Sequence, residues 1–80
     1  MYYVYIMRSL KDGTFYKGST SDRDARLKSH NAGRVRSTKS GRPWVLHYSE
    51  CFQSKQEAIQ REHYFKSYEG YLWLKKKGII

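Results

Sequence analysis

Five residues in this chain have side chains suited to phosphate chemistry, although they are far apart in the sequence: Tyr5, Tyr16, Arg26, His30 and Glu62. Arginine can bind two phosphoryl oxygens at once, and histidine donates or accepts a proton near neutral pH. A phenol can act as a base beside positive charge, and a carboxylate can hold a divalent cation. Phosphodiester hydrolysis needs an activated water, neutralised phosphoryl charge and a stabilised leaving oxygen. The set therefore predicts metal-assisted cleavage of a phosphodiester, provided that folding gathers these groups around one bond.

Arg26 and His30 are four residues apart on a predicted helix, so they lie on one face with about 6 Å between their Cβ atoms. Both side chains could then address one phosphate. The simpler alternative is a solvated basic helix face, because Arg23 and Lys28 lie on the same helix. For the two tyrosines the simpler alternative is a pair of half-buried sheet aromatics with hydroxyls in water.

Glu62 stands where a helix is expected to be apolar. It falls between Ala58 and Phe65 at the spacing of the stripe that should face the core. A carboxylate there costs roughly several kcal/mol unless something cationic meets it, and its sequence neighbours point roughly 100° away. A metal ion or an arginine such as Arg26 would compensate. A purely structural Glu–Arg pair is the alternative.

A β-hairpin is predicted at the N-terminus. Residues 2 to 9 are β-branched, aromatic and apolar, a Lys-Asp-Gly turn follows, and residues 14 to 20 can return as the partner strand. Because side chains alternate across a strand, Tyr5 and Met7 share one face while Val4 and Ile6 share the other. Closure of the hairpin then brings Tyr5 and Tyr16 within reach of one another.

Helix-end signals predict the remaining elements. Ser21 caps a first helix that runs to residue 31 and ends at Gly33 in a left-handed conformation. Residues 44 to 52 alternate as a third strand after Pro43. Ser54 opens a second helix to about residue 67, and Gly70 separates it from a short last helix. The order is ββαβαα, and the pattern alone suggests one mixed sheet of three strands.

The charge of the chain favours a polyanionic partner. There are 16 Lys+Arg against 7 Asp+Glu, a formal net charge of +9, which points to nucleic acid first and an anionic membrane surface second. The segment from residue 34 to 42 reads as an exposed loop composed for gripping phosphates. Backbone contacts, indifferent to base identity, are predicted for seven residues. They are Arg34, Arg36, Lys39, Arg42, Lys75, Lys76 and Lys77.

Length and composition set further expectations. Eighty residues make one domain with a modest core. No apolar run approaches the roughly 20 residues of a membrane span, and the first residues lack the features of a cleaved leader, so a soluble, unprocessed protein is expected. Cys51 is the single cysteine, which fits a reducing compartment such as the cytoplasm. The plain alternative is a small ribosome-associated or merely soluble basic protein.

The arrangement of these residues resembles that of the GIY-YIG nuclease family, above all its small stand-alone members. The resemblance rests on Val4-Tyr5-Ile6, Tyr16-Lys17-Gly18, Arg26, His30 and Glu62, and covers nearly the whole chain. It implies that Tyr5 is the first-motif tyrosine, Tyr16 the second-motif tyrosine and general base, and Arg26 the phosphate-stabilising arginine. His30 matches a histidine of the homing-type members, and Glu62 the metal-binding glutamate.

The same resemblance implies an α+β fold with a three-stranded antiparallel sheet and flanking helices. It also implies that Glu62 binds a metal. A single carboxylate completed by water and phosphate oxygens suits Mg²⁺ or Mn²⁺, held only weakly in the free protein. DNA rather than RNA is the expected substrate, and no membrane is expected. A structure-selective or loosely selective nuclease in repair or recombination is one expectation, and a subunit that works with an additional protein partner supplying specificity is the alternative. The chain departs from the family at Val4, in place of a glycine, and at Lys17, in place of an aliphatic residue; the family's late asparagine has no counterpart. A non-catalytic nucleic-acid-binding module that retained the fold, or a basic structural protein, are the alternative functions.

Overall fold

The computed structural model describes residues 1–80 and contains three strands, three α-helices and a short 3-10 helix. In chain order they are β1 (Tyr2–Ser9), β2 (Phe15–Thr20), α1 (Arg23–Asn31), the 3-10 helix (Arg36–Gly41), β3 (Trp44–Phe52), α2 (Lys55–Lys66) and α3 (Tyr68–Lys76). The predicted ββαβαα order and the α+β class are confirmed. No helix is both long enough and apolar enough to cross a membrane.

The sheet has the order β2-β1-β3, with β1 in the centre and antiparallel to both neighbours. The mixed sheet suggested by the pattern alone is therefore wrong, and the antiparallel sheet implied by the resemblance is confirmed. The reason is that β2 and β3 run in the same direction but are separated by β1, so no parallel pair forms. The chain between them carries α1 across one face of the sheet.

The two faces of β1 have separate apolar cores, as its alternating side chains predict. On one face Val4 and Ile6 pack with Phe65 of α2 and Leu74 of α3. On the other face Tyr5 and Met7 pack with Trp44, with Tyr16 and Leu27 of α1 against them. The first face is thus covered by α2 and α3, and the second by α1 and the 3-10 helix. The second face carries Tyr5, Tyr16, Arg26 and His30.

Of the predicted helix-end residues, Gly33 and Ser54 are confirmed, whereas Ser21 and Gly70 are wrong. Gly33 has φ +77, the left-handed conformation expected after α1, and Ser54 caps α2 by accepting a hydrogen bond from the Glu57 amide at 3.2 Å. The cap of α1, however, is Asp22 and not Ser21. Its carboxylate accepts from the Ala25 amide at 3.1 Å, a bond that Ser21 is one residue too early to make.

Gly70 does not separate the last two helices, because it lies inside α3. The junction is Ser67, which ends α2 and whose hydroxyl accepts a hydrogen bond from the Gly70 amide at 3.1 Å. A Cβ at position 70 would lie 1.8 Å from the carbonyl oxygen of Tyr64. The glycine is therefore needed for the close approach of α3 to the end of α2, and not as a helix breaker.

The segment from 34 to 42 is not a simple exposed loop, because residues 36 to 41 form the 3-10 helix with Thr38 and Gly41 buried. Thr38 and Gly41 face inward, and their backbone carbonyls accept hydrogen bonds from buried side chains. The Ser9 hydroxyl donates to the carbonyl of Gly41 at 2.6 Å, and the indole N–H of Trp44 donates to the carbonyl of Thr38 at 2.8 Å. The cationic side chains of the segment stay exposed, as expected.

Candidate active site

The two predicted tyrosines meet on one face of the hairpin. Tyr5 pairs with Gly18 across β1 and β2, and Met7 pairs with Tyr16, so the tyrosines occupy diagonal positions. Their ring centroids lie 6.4 Å apart. Tyr5 is 3% exposed, whereas Tyr16 is half-buried and keeps part of its ring at the surface.

Gly18 explains how the Tyr5 side chain reaches its position. A Cβ built on Gly18 would lie 2.5 Å from the Tyr5 hydroxyl oxygen and 2.7 Å from its Cζ. The phenol ring therefore passes directly over the backbone of β2, and any side chain at position 18 would displace it. This gives a steric reason for the glycine two residues after Tyr16.

A directed chain of hydrogen bonds runs from α1 through Tyr5 into the 3-10 helix. Arg26 donates from Nε to the Tyr5 hydroxyl oxygen at 3.4 Å, and that hydroxyl lies 3.0 Å from Nε2 of His30. Nδ1 of His30 lies 2.8 Å from the Thr38 hydroxyl, which donates to the carbonyl of Val35 at 3.3 Å. Every donor has one acceptor only if His30 is neutral with its proton on Nδ1. Tyr5 then donates inward, to His30.

The electrostatics of these groups agree with that assignment. Burial, and then the positive charge of Arg26, lower the pKa of His30, which favours the neutral imidazole. Burial raises the pKa of Tyr5, although Arg26 opposes the rise. The hydrogen bond to Tyr5 raises the pKa of Arg26, with further contributions from Tyr16. At neutral pH the site thus holds a neutral His30, a protonated Tyr5 and a charged Arg26.

Exposure divides the four residues into two pairs. His30 is 0% exposed and has both ring nitrogens hydrogen-bonded, and Tyr5 is nearly as buried. Arg26 and Tyr16 are only partly buried, so their polar ends are the ones that a ligand can contact. The expectation that Arg26 and His30 address one phosphate together therefore fits Arg26 alone. His30 instead fixes the Tyr5 hydroxyl on which Arg26 rests.

Glu62 reaches the site from the other face of the sheet. It lies on α2, and its Oε1 accepts a hydrogen bond at 2.6 Å from Ser19, a residue of the edge strand β2 next to Gly18. The Tyr5 hydroxyl lies against Gly18 on one face of this edge strand. The Glu62 carboxylate is bonded to the next residue, Ser19, on the other face. The charge of Glu62 is close enough to contribute to the raised pKa of Tyr5.

Arg26 is not the cation that compensates Glu62, so that part of the prediction is wrong. Lys66, one turn further along α2, donates to Oε2 of Glu62 at 2.7 Å. Burial works against ionisation of Glu62, but the hydrogen bonds from Lys66 and Ser19 outweigh it and lower the pKa of the carboxyl. Arg26 lies on the other face of the sheet, where it is hydrogen-bonded to Tyr5.

A divalent ion fits Glu62 under one condition. Mg²⁺ or Mn²⁺ can be held through a single carboxylate if water and phosphate oxygens fill the remaining positions. Glu62 offers that carboxylate, and no group of three or more His, Cys, Asp or Glu side chains is arranged to hold a metal. Both oxygens of Glu62 are engaged, so an ion could bind only where Lys66 releases Oε2.

Sequence reasoning missed Ser19, Lys66 and Thr38 as partners of the site. Lys66 carried a usable signal, since it is four residues after Glu62 on one helix. Ser19 and Thr38 carried none, because their roles depend on how β2 meets α2 and how the 3-10 helix meets α1.

Lys17 is half-buried and lies on the same face of β2 as Ser19. Burial, and then the charge of Lys66, lower the pKa of Lys17.

The residues predicted to bind nucleic acid fall into two groups. All seven are exposed. The first four lie between α1 and β3, beside the face that carries Tyr5 and His30. The three lysines lie at the end of α3, which packs on the other face. The first group is therefore on the side of the sheet that carries Tyr5 and His30, and the second group is on the side that carries Glu62.

A family model for the GIY-YIG catalytic domain matches residues 1–76, which is nearly the whole chain and includes all five candidate residues. The chain belongs to the GIY-YIG family. Membership confirms the resemblance seen in the motifs and places the protein in a nuclease family, with nucleic acid as its substrate class.

Proteins of comparable size are similar to this chain in sequence, and one of them is also similar in structure. A UPF0213 protein of Bacillus licheniformis is 46% identical over 66 residues, which are 81% of this chain and 67% of that protein. A UPF0213 protein of Bacillus pumilus is 40% identical over 77 residues, 95% of this chain and 72% of that protein. The solution NMR structure of a UPF0213 protein from Bacillus halodurans matches with a TM-score of 0.54 and 36% identity, covering 95% of this chain and 84% of that one.

Proposed function

We propose that this protein is an endonuclease that hydrolyses phosphodiester bonds in DNA with the help of a divalent metal ion. The observation that supports the proposal best is the hydrogen-bond chain from Arg26 through Tyr5 to His30. It holds a charged guanidinium close to the half-buried Tyr16 on a protein of net charge +9.

Each residue has a role that follows from its position. Arg26 binds the phosphoryl oxygens of the scissile phosphate and stabilises the negative charge that develops on them. Tyr16 acts as the base in its deprotonated form: the phenolate accepts a proton from the attacking water and becomes a neutral phenol. Tyr5 and His30 are positioning residues, because they are buried and hold Arg26 in place. Glu62 would hold Mg²⁺ or Mn²⁺, which when bound supplies charge stabilisation to the phosphate and the leaving oxygen.

The wider function extends from the same chemistry. Backbone contacts through the exposed Arg and Lys residues carry no sequence information, so selectivity for a site would come from DNA structure or from a protein partner. A structure-selective role in repair or recombination, in the cytoplasm, suits such an enzyme.

A cleavage assay tests the proposal. Wild type, Tyr16→Phe, Glu62→Ala and Glu62→Gln are incubated with nicked, branched and single-stranded DNA, with and without Mg²⁺. We expect Mg²⁺-dependent cleavage by the wild type and a loss of about 10²-fold or more in the variants, because each lacks a group that stabilises the transition state. Tyr68→Phe and Glu69→Ala, exposed residues of α3, are the matched controls and should cleave like the wild type.

Two outcomes would contradict the proposal in different ways. Cleavage that survives Glu62→Ala would show that the metal site is wrong. Salt-sensitive binding without cleavage by any form would instead select a non-catalytic nucleic-acid-binding module. The observation that favours this second function is the ion pair of Glu62 with Lys66, which in the free protein occupies an oxygen that a metal would need.

A further inference from the structure

An open cleft lies between the β1–β2 turn and the 3-10 helix, with a volume of about 700 Å³. Four cationic side chains line it, together with polar groups and a proline, and no carboxylate is among them. The cations are Lys11, Arg36, Lys39 and Arg42. Neither ion pair of the structure involves any of them. Such a cleft has the composition of an anion-binding site.

The cleft is held in shape by contacts with the backbone. Arg42 donates from Nε to the carbonyl of Lys39 at 2.8 Å, and Lys11 donates to the carbonyl of Ser40 at 3.1 Å. The floor is fixed by Asn31, whose amide exchanges two hydrogen bonds with the backbone of Trp44, at 2.9 and 2.7 Å. Because the cations are partly oriented before a ligand arrives, less conformational freedom is lost on binding.

The 3-10 helix connects this cleft to the candidate active site. Its buried residue Thr38 is hydrogen-bonded to His30, whereas Arg36 and Lys39 on either side of it line the cleft. The 3-10 helix rises only about 2 Å per residue, so the cleft and the Tyr5–His30 pair are neighbours. A strand whose scissile phosphate contacts Arg26 would therefore pass the cleft within a few nucleotides.

We propose that this cleft binds a backbone phosphate of the substrate strand, other than the scissile one. The ligand class is a phosphodiester within a nucleic acid, recognised through its charge and not through a base edge. The proposal rests on the proposed function, since it takes the ligand to be a nucleic-acid strand. A free polyphosphate has the same chemistry, and the experiment distinguishes the two.

The experiment measures binding in the Tyr16→Phe background, which removes turnover. A fluorescent oligonucleotide is compared with a set that carries one neutral methylphosphonate linkage at each successive position. Arg36→Gln/Lys39→Gln tests the cleft, and Lys28→Gln/Lys55→Gln removes the same charge from exposed residues outside it. Thermal unfolding checks that each variant is folded. Lys11→Gln is a second cleft variant on a different element.

We expect the cleft variants to bind the oligonucleotide about tenfold more weakly at moderate salt, and the double variant to reduce the salt slope by about two units. The control pair should change the affinity less than about threefold. A neutral linkage a few nucleotides from the cleavage site should weaken oligonucleotide binding by the parent protein but not binding by the double cleft variant. Inorganic pyrophosphate should compete with the oligonucleotide only weakly.

Three results would overturn the proposal. One is equal binding by the cleft and control variants. Another is a methylphosphonate pattern that the cleft variants leave unchanged. The third is tight pyrophosphate binding in the cleft with unchanged oligonucleotide affinity, which would identify a free polyphosphate as the ligand. Binding by the cleft in a protein that never cleaves DNA would overturn the proposed function and leave the cleft standing.

Discussion

The Tyr5 hydroxyl donates a hydrogen bond to His30 and accepts a hydrogen bond from Arg26, so its hydrogen-bonding capacity is largely used inside the protein. Tyr5 has the side chain of a catalytic residue, but in this position its hydroxyl holds the Arg26 side chain by a hydrogen bond. The same holds for His30, which is fully buried between Tyr5 and Thr38. Among the predicted residues on this face, the ones able to touch a ligand are Arg26 and Tyr16.

The burial of His30 predicts how stability depends on pH. Burial and the charge of Arg26 hold the pKa of His30 in the folded protein below its ordinary value of 6.5. Between the folded pKa and about 6.5 the unfolded chain therefore binds more protons than the folded one, and stability falls as the pH is lowered through this window. Urea unfolding at several pH values between about 7.5 and 5 measures the effect.

His30→Gln is the control for this prediction, because glutamine does not titrate and can still accept a hydrogen bond from Tyr5. Its stability should change less with pH across the same window. NMR titration of the wild type should give a midpoint for His30 below 6.5. A midpoint above that value would contradict the neutral imidazole and the direction of the whole hydrogen-bond chain.

At the scale of elements, the contact of α2 with α3 depends on a residue with no side chain. A Cβ at Gly70 would meet the backbone of Tyr64 and Phe65, neither of which can rotate away. Arg61 lies over the rings of Phe65 and Trp73 at the same seam and is paired with Glu50 at 2.8 Å. The two helices are therefore fixed to each other and to β3 with little freedom to shift.

Gly70→Ala should be strongly destabilising, although alanine is the better helix former. Overpacking typically costs about 1–3 kcal/mol, and a clash with backbone belongs at the upper end or beyond. The matched control is Glu69→Ala, an exposed neighbour in the same turn, which should change stability by less than about 0.5 kcal/mol. Urea unfolding of both variants decides the matter. A Gly70→Ala protein as stable as its control would show that the helices can separate without loss.

Local signals and long-range contacts explain which elements the sequence could predict. The strands followed from alternation, and Ser54 and Gly33 from end signals, because these are decided by residues a few positions apart. The 3-10 helix and the role of Gly70 were not predictable, since Thr38 is buried by its contact with His30 and Gly70 is required by the carbonyl of Tyr64. In the sequence, a polar segment that forms a loop looks the same as one that packs against a helix. A glycine that ends a helix looks the same as one required by a close backbone contact.

The candidate site divides in the same way. The spacing of Arg26 and His30 on one helix and the pairing of the tyrosines in one hairpin were accessible from the sequence. The burial of His30 was not, because it depends on the 3-10 helix that covers it. A metal ion or an arginine such as Arg26 is what the pattern predicts beside Glu62, and the structure shows Lys66 there. The pattern does not show that the sheet stands between Arg26 and α2.

For the molecule as a whole, the sheet separates the core under α2 and α3 from the face that carries Tyr5, Tyr16, Arg26 and His30, and only Glu62 approaches the site from the α2 side. Leu74 is fully buried with Val4, Ile6 and Phe65, on the face away from Tyr5 and Tyr16. Leu74→Ala should cost about 2–5 kcal/mol of stability, because it leaves a cavity in this core. The rate of DNA cleavage per folded molecule should nevertheless stay within about threefold of wild type, since no site residue loses a contact.

Trp44→Ala provides the comparison on the opposite face. Trp44 packs with Tyr5 and Met7 and donates to the carbonyl of Thr38 at 2.8 Å, so its loss should reduce both stability and cleavage per folded molecule. Unfolding curves and cleavage rates, normalised to the folded fraction, measure both effects. A Leu74→Ala protein that is folded but inactive would show that the two faces are coupled.

The Glu62–Lys66 pair bears on what the protein does before it meets nucleic acid. The carboxylate is already neutralised by an ammonium on its own helix, so it offers no surplus negative charge to ions in bulk solution. A phosphate bound nearby would compete with Glu62 for the Lys66 ammonium, so that Lys66 could release the carboxylate. In isolation the protein is thus expected to be latent, and its own substrate would be the signal that unmasks the acid.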